Sequence, residues 1–311
     1  MGSDFESLPL DARSRFSKSG LLPKRHFRPG VSLSIVGLGG MVLVGASREQ
    51  ANHLVADSVE RGVNYFDVAP SYGEGEAEVK FGSALAPYRD RVFLACKTLD
   101  RSAAGARLQL ERSLRRLRSD HVDLYQFHAV NRAEDIERIL APGGAADAFL
   151  RAREEGLVRF LGFSSHSVPA SLNLLDRFSF DSILFPVNFV CYSRGKFGPQ
   201  VVEKAKMGGV SCLALKALAY TPWRKGETRR YPNCWYRPID DPVLGLQALR
   251  FSLSEDVTAV LPPGDERLYR MAVELASAVT PLTAEERRQL FERARCLRPI
   301  MTAKKVPSTE Q

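Results

Sequence analysis

The sequence predicts an α/β fold in which eight parallel strands close into a (β/α)8 TIM barrel, with an extra C-terminal helix and long loops at the carboxyl face of the strands. Two observations support this prediction. Short runs rich in Val, Ile, Leu and Phe alternate with helical patterns about eight times, as in a parallel sheet covered on both faces. The chain has 311 residues, and an α/β barrel commonly reaches ~250 residues as one domain.

Three segments follow from the hydrophobic pattern. Residues 1–27 are polar and aperiodic, and they are predicted to be an N-terminal extension with little order. Residues 28–300 carry the alternating pattern and are predicted to form the barrel. Residues 301–311 are expected to be a frayed tail.

The first patterned segment is a strand over Val31–Val36, and it runs into the glycine-rich stretch Gly37–Gly40. A dinucleotide fingerprint, Gly-x-Gly-x-x-Gly, would need a third glycine where Val42 stands. We therefore expect a tight turn that brings the backbone close to a ligand at the barrel mouth. The missing fingerprint also argues against the competing fold, an open doubly wound sheet.

The next elements follow from caps and periodicity. Ser47 and Gln50 form a capping box that opens a helix through Glu60, and Gly62 closes that helix. Further strands are predicted at Val63–Phe66, Arg91–Cys96, Val122–Phe127, Val158–Phe163, Ser182–Pro186, Val210–Leu215 and Val257–Leu261. Further helices are predicted near Glu76–Leu85, Ala103–Leu117, a segment ending near Glu155, Ala170–Arg177, Pro199–Lys206, Pro242–Ser254 and Glu266–Ala278, with a last one over Thr283–Arg295 from a second capping box.

Composition narrows the class of protein. The formal net charge is +8, but basic residues are interspersed with acidic ones, so neither nucleic acid nor a membrane surface is the expected partner. No uncharged run approaches the ~18 residues of a membrane span. The five cysteines show no metal-binding or redox spacing, so no metal site is predicted, and a reducing, cytoplasmic setting is expected.

Ionisable side chains lie at or just after three successive predicted strands. Asp67 ends one strand, Lys97 and His128 follow the next two, and Tyr72 lies on the Pro/Ser/Gly loop after Asp67. Each residue alone has an ordinary structural explanation. Asp67 could form a turn, Lys97 could be a solvated strand end, His128 could be a structural histidine, and Tyr72 could be a surface aromatic of the loop. Because the carboxyl ends of barrel strands share one face, the four together predict a site there.

In these motifs, NYFDVAPSYG, VFLACKT and VDLYQFH, the chain resembles the aldo-keto reductase family from about Arg28 to about Ala276. The resemblance implies a (β/α)8 oxidoreductase that reversibly reduces an aldehyde or ketone with NADPH, NADH being possible. It assigns Tyr72 as general acid/base, His128 as the group that orients the carbonyl, and Lys97 with Asp67 as groups that tune the phenol. An adjacent ammonium is expected to lower the pKa of Tyr72.

The resemblance also implies a cofactor site, with departures from the family pattern. Ser164 matches the family, Ser165 replaces a usual Asn, Leu184 stands where a Gln often lies, and Leu215 replaces a Tyr that often stacks on the nicotinamide. The remaining expected cofactor residues are Lys216, Pro263 and Gly264 of a phosphate loop, and Arg267 or Arg270 for the 2′-phosphate.

A long loop, Tyr220–Asp241, combines aromatic and cationic residues, and its Trp223, Trp235 and Tyr236 are candidate substrate-pocket residues. The alternative is that these aromatics pack on the barrel rim. For His166 a pocket-rim and a surface position are equally open.

The expected partner is a small carbonyl compound, and no oligomeric state follows from the pattern. The alternative function is a nucleotide-binding regulatory or sensing barrel with little turnover, which the departures at Leu184 and Leu215 motivate.

Overall fold

The structure is a computed structural model that describes residues 21–303. Its strands are β1 (Lys24–Arg28), β2 (Val31–Ser34), β3 (Leu38–Gly39), β4 (Tyr65–Asp67), β5 (Phe93–Thr98), β6 (Val122–Phe127), β7 (Val158–Ser164), β8 (Ser182–Pro186), β9 (Ser211–Leu215), β10 (Ala219–Pro222), β11 (Tyr236–Pro238) and β12 (Val257–Leu261). Eight of them pair in the order β3-β4-β5-β6-β7-β8-β9-β12, all in parallel. Val36 bridges Val260 in parallel and closes the sheet. The predicted TIM barrel is confirmed.

Helices cover the outside of the barrel and mostly match the predicted ranges. They are α1 (Arg48–Glu60), α2 (Glu76–Ala84), α3 (Ala103–Leu117), α4 (Ala133–Leu140), α5 (Ala145–Glu154), α6 (Val168–Arg177), α7 (Phe189–Gly195), α8 (Pro199–Met207), α9 (Pro242–Ser254), α10 (Glu266–Ala276) and α11 (Ala284–Ala294). Both predicted capping boxes are present, at the starts of α1 and α11. No helix in residues 21–303 is long and apolar enough to cross a membrane.

An antiparallel hairpin of β1 and β2 lies at the amino-terminal end of the barrel. The prediction that residues 1–27 have little order is wrong for the last of them, since β1 begins at Lys24. Phe27 is only 2% exposed, and its ring packs edge-on against the rings of Phe93 and Phe160, with centroid distances of 5.1 and 5.4 Å respectively. Residues 1–20 and 304–311, whose order was predicted to be low, lie outside the described residues. The hairpin supplies apolar side chains that close the bottom of the barrel.

The glycine-rich stretch is also different from the prediction. Leu38 and Gly39 are the first barrel strand itself, and a short 3-10 helix begins at Gly40. A Cβ at Gly37 would come within 2.4 Å of the Tyr65 ring. Gly37 therefore serves close packing inside the barrel. The turn begins later, at Gly40, and its approach to a ligand stays a prediction.

An apolar cluster fills the barrel interior beneath the carboxyl face. Its buried members are Phe27, Leu33, Tyr65, Phe93, Ala95, Leu124, Leu184, Leu213, Ala259 and Leu261. Because alternate residues of a strand point to one side, Asp67, two residues after Tyr65, belongs to the same inward face. Polar side chains at the carboxyl ends of the strands thus lie above an apolar floor.

Candidate active site

The centre of the site is an ion pair inside the barrel. Lys97 Nζ contacts Asp67 Oδ1 and donates a hydrogen bond to the carbonyl oxygen of Val68 at 3.1 Å. Both charged side chains are almost completely buried. The sequence had placed Lys97 just after a strand. In the structure Lys97 lies within β5, because β5 extends to Thr98. From this position its ammonium reaches Asp67 at the end of β4.

Two polar residues that the sequence reading missed hold the other oxygen of Asp67. Gln126 Nε2 donates to Asp67 Oδ2 at 3.0 Å, and the hydroxyl of Tyr65 donates to the same oxygen at 3.3 Å. The sequence does contain a signal for both. Tyr65 lies two residues before Asp67 and Gln126 two residues before His128, so each is a polar residue at an inward position of a buried strand. The carboxylate is thus fixed from three strands, β4, β5 and β6.

Tyr72 and His128 complete the cluster. Tyr72 begins a short 3-10 helix after β4, and Lys97 Nζ donates to its hydroxyl oxygen at 3.4 Å. The same nitrogen lies 5.0 Å from the centroid of the phenol ring. The His128 ring meets the Tyr72 ring edge-on, with centroids 5.9 Å apart. The structure therefore brings all four side chains together at the carboxyl face.

The direction of the Tyr72 pKa shift is opposite to the one expected from Lys97 alone. Burial raises the pKa of Tyr72, and the attraction of the Lys97 ammonium for the phenolate only partly offsets this. For Lys97, burial acts to lower the pKa, but the charges of Asp67 and Tyr72 outweigh it, so the pKa is raised. At neutral pH the pair is a protonated phenol beside an ammonium.

Two half-buried histidines lie at the same mouth. Burial, and then the charges of Lys97 and other cations, hold the pKa of His128 well below its usual range. Burial and the Lys216 ammonium do the same for the pKa of His166. Neither His128 Nδ1 nor His166 Nε2 has a hydrogen-bond partner among residues 21–303, although both atoms are buried. Of the two positions left open for His166, a pocket rim and a surface loop, its burial favours the pocket rim.

These lowered pKa values predict acid sensitivity. Each histidine is neutral in the folded protein but binds a proton in the unfolded chain below about pH 6.5. Since the unfolded state then binds more protons, we expect the free energy of unfolding to decrease as the pH falls below about 6.5. Urea unfolding at several pH values measures this slope.

A matched comparison uses His128→Gln together with His166→Gln. The double variant should show a flatter decrease of unfolding free energy between about pH 6.5 and pH 5, because both titrating groups are gone. An unchanged slope would contradict a contribution from these two imidazoles.

The serines predicted to bind the cofactor are largely used inside the protein. Ser164 Oγ accepts a hydrogen bond from the backbone N–H of Ala129 at 2.8 Å. Ser165 Oγ accepts from the N–H of Ser167 at 3.0 Å and donates to the carbonyl oxygen of Ser167 at 3.2 Å. Asn131, which sequence reasoning missed, reaches the adjacent backbone, because its Oδ1 accepts from the N–H of His166 at 2.6 Å. Ser165 acts here as a turn former.

The two leucines that depart from the family pattern, Leu184 and Leu215, lie on the inward face of the neighbouring strands β8 and β9. Leu184 pairs with Ser164 and Leu213 in register and is buried in the interior cluster. Leu215 is partly buried against the same cluster. Lys216 follows it with a φ of +65°, and its ammonium lies 5.3 and 5.5 Å from the ring centroids of Trp235 and Tyr236. Burial lowers the pKa of Lys216 to about 8.

The predicted phosphate loop lies between β12 and α10. A Cβ at Gly264 would come within 2.7 Å of Met41 Cβ, so glycine is needed for this packing. The two candidate arginines already have acidic partners. Arg267 Nη2 lies 2.9 Å from Asp265 Oδ2, while Arg270 contacts Asp57 at 3.1 Å and Glu266 at 2.8 Å.

The long predicted loop contains a small antiparallel hairpin of β10 and β11. Trp235 is 41% exposed and meets Tyr236 edge-on, with ring centroids 5.2 Å apart. Trp223 donates its indole N–H to the carbonyl oxygen of Cys234 at 2.7 Å and packs on the main core. Trp235 and Tyr236 therefore lie near Lys216, whereas Trp223 follows the rim-packing alternative.

Comparisons with known proteins point to one family. The sequence model described as "Aldo/keto reductase family" matches residues 35–234. The solved structure of the aldo-keto reductase AKR11C1 from Bacillus halodurans, in its holo form, is 26% identical with a TM-score of 0.71, and the match covers 91% of this chain and 99% of that chain. Aldo-keto reductase YhdN of Bacillus subtilis is 31% identical over 156 residues, 45% of this chain and 45% of that protein. Methylglyoxal reductase YeaE of Escherichia coli is 35% identical over 107 residues, 33% of this chain and 38% of that protein. The chain thus matches less than half the length of these two curated relatives.

Proposed function

The chain belongs to the aldo/keto reductase family, and on that premise we propose that it reversibly reduces an aldehyde or ketone to an alcohol with NADPH. The observation that carries this proposal is the contact of the Tyr72 hydroxyl with the buried Lys97–Asp67 pair, beside the His128 ring. A phenol, an ammonium and an imidazole at one mouth match the needs of a carbonyl oxygen that gains negative charge.

Each of the four side chains has a distinct proposed role. Tyr72 gives its proton to the carbonyl oxygen during reduction and takes it back in the reverse direction. Lys97 stabilises the phenolate that remains, and Asp67 holds Lys97 in place and balances its charge. His128, kept neutral by burial and neighbouring cations, orients the carbonyl by hydrogen bonding.

The residues at the mouth fit a nicotinamide nucleotide. The buried, unpartnered ring nitrogens of His128 and His166 leave polar atoms for a ligand in the part of the chain that the structure describes. Leu215 would face the nicotinamide, and Lys216, whose ammonium lies beside the rings of Trp235 and Tyr236, would face the phosphates. When bound, the nicotinamide supplies the hydride. Ser164, Ser165, Leu184, Pro263 and Gly264 would border it as the family pattern implies.

NADPH rather than NADH is the proposed cofactor, through Arg267 or Arg270. We expect the alanine variant of whichever arginine contacts the 2′-phosphate, Arg267→Ala or Arg270→Ala, to raise the Kd for NADPH about 5- to 10-fold. An arginine–phosphate contact is charge-assisted, but here it competes with Asp265, Asp57 or Glu266. The Kd for NADH should hardly change. Fluorescence titration of both nucleotides measures this.

Arg250→Ala is the matched control, since Arg250 pairs with Glu286 at 2.6 Å in a contact between α9 and α11. It should leave both nucleotide affinities unchanged. If the alanine variants of Arg267 and Arg270 weaken NADH as much as NADPH, or weaken neither, these arginines do not read the 2′-phosphate.

The second candidate function is a nucleotide-sensing barrel with little turnover. It is favoured by the internal hydrogen bonds of Ser165 and by the apolar Leu184 and Leu215 where polar or aromatic cofactor contacts are usual in the family. A steady-state assay of NADPH oxidation with a panel of aldehydes and ketones separates the two. Turnover supports the reductase, whereas tight NADPH binding without turnover on any carbonyl supports the sensor.

The cytoplasm is the proposed compartment. All five cysteines are free thiols, and four of them are buried, as expected in a reducing environment.

A further inference from the structure

The loop after β6, residues 128–131, is held from both sides by buried side chains. Arg101 Nη2 donates to the carbonyl oxygen of His128 at 2.8 Å and to that of Ala129 at 3.4 Å. On the other side, the Ala129 N–H donates to Ser164 Oγ at 2.8 Å, and the Val130 N–H donates to the carbonyl oxygen of Ser164 at 2.8 Å. The imidazole of His128 therefore stands on a backbone fixed between β5 and β7.

We propose that Arg101 is a positioning residue, which holds the His128 imidazole beside Tyr72 by binding the backbone carbonyls of residues 128 and 129. This inference rests on the proposed function in one respect, the role given to His128. Arg101 contacts the backbone of the loop at residues 128 and 129. Its proposed effect is therefore exerted through His128 and not by contact with a substrate.

The backbone conformation explains why the loop needs this support. Ala129 has a φ of +53°, in the left-handed region, which is strained for a residue with a Cβ. The bend directs two successive carbonyl oxygens to one guanidinium, so the hydrogen bonds from Arg101 offset the strain. Without them we expect the loop to relax toward a negative φ, which would turn His128 away from Tyr72.

Stability alone does not explain a buried guanidinium at this place. Arg101 is only 7% exposed, and burial lowers its pKa despite the ion pair of its Nε with Asp135 Oδ1 at 3.3 Å. Its Nη1 is buried with no hydrogen-bond partner among residues 21–303. Burying a charge with a donor unsatisfied is costly, and an apolar side chain would avoid that cost.

Arg101 also contributes to the electrostatic surroundings of His128. The groups that face this imidazole are Tyr72 after β4, Lys97 from β5, Arg101 from the loop after β5, His166 after β7 and Lys216 after β9. Burial and the four cationic or basic groups keep the pKa of His128 low. Removing one cation should therefore raise that pKa.

The test is Arg101→Met, with Arg101→Lys as the conservative variant. We expect Arg101→Met to lower kcat about 10- to 100-fold, because a shift of about 1 Å in a catalytic group costs about 10²-fold. The Kd for NADPH, measured by fluorescence, should change less than about twofold, since the arginine does not border the proposed cofactor site. Arg101→Lys should recover part of kcat, because an ammonium can still donate to one of the carbonyls.

Arg89→Met is the matched control at the opposite end of β6. Arg89 is also a part-buried guanidinium that binds backbone carbonyls, those of His121 at 3.0 Å and Val92 at 3.2 Å, and it pairs with Asp123 at 3.0 Å. This variant should lose comparable stability but keep kcat per folded molecule. Equal loss of kcat in both variants, after correction for the folded fraction, would show that Arg101 is merely structural.

NMR titration of the histidine side chains gives a readout that does not depend on turnover. The pKa of His128 should rise in Arg101→Met and stay unchanged in Arg89→Met. An unchanged His128 titration and ring environment in Arg101→Met would overturn the inference even if the enzyme is active. If the wild type reduces no carbonyl, the proposed function fails, while this titration still decides whether Arg101 controls His128.

Discussion

Replacing Tyr72 by phenylalanine is expected to lower kcat for carbonyl reduction by about 10²- to 10⁴-fold, the usual contribution of a general acid. The phenol hydroxyl is the proposed proton donor, and burial keeps it protonated at neutral pH by raising its pKa. Among the described residues its hydrogen-bond contact is the one from Lys97 at 3.4 Å. The fold should therefore be unaffected, and NADPH should still bind.

Steady-state kinetics and NADPH titration of Tyr72→Phe measure these effects. The matched control is Tyr125→Phe, which removes a buried hydroxyl that donates to the carbonyl oxygen of Ala106 at 3.3 Å, between β6 and α3. That control should lower stability by about 1 kcal/mol and leave kcat unchanged. Equal rates for Tyr72→Phe and the wild type would refute Tyr72 as the acid.

Replacing Lys97 by methionine is expected to destabilise the protein by about 3–5 kcal/mol, the usual effect of breaking a buried ion pair. Asp67 would remain buried without its ammonium partner, and Gln126 and Tyr65 are neutral donors that cannot balance its charge. Turnover should also be lost, because the phenolate of Tyr72 would have no adjacent cation. Urea unfolding and the NADPH assay measure the two effects.

A double variant separates stability from catalysis. Adding Asp67→Asn to Lys97→Met removes the uncompensated charge, so we expect most of the unfolding free energy to return while kcat stays low. Lys206→Met is the surface control, since its pair with Asp256 at 2.8 Å is more than half exposed on both sides, and it should hardly change the free energy of unfolding. Recovery of turnover in the double variant would exclude a catalytic role for this pair.

Local patterns were sufficient for most of the secondary structure. The capping boxes at Ser47 and Thr283 are short-range interactions, and both helices begin where these residues predict. The strands Val122–Phe127 and Ser182–Pro186 are apolar runs that match their predicted bounds. Alternation of such strands with helices then leaves few folds other than a barrel. The motifs at strand ends likewise predicted that Asp67, Tyr72, Lys97 and His128 meet, and the structure does bring them together, while their catalytic roles stay proposals.

Other features depend on contacts between residues far apart in the chain. The hairpin that closes the barrel is fixed by Phe27 against Phe93 and Phe160, and no local pattern around residue 27 reports that contact. The acidic partners of Arg270 include Asp57 on α1, more than 200 residues earlier in the chain. Only assembled structure shows that this arginine is already paired.

The sequence by itself determined the barrel and the four side chains at its carboxyl face, because periodicity, caps and strand ends are local properties. The tertiary structure decided the environment of those side chains, including the bonds of Gln126 to Asp67 and of Arg101 to the His128 backbone. It also reversed the expected shift in the pKa of Tyr72, since burial there outweighs the charge of Lys97. Burial and charge balance are sums over the whole fold, and adjacent residues do not report them.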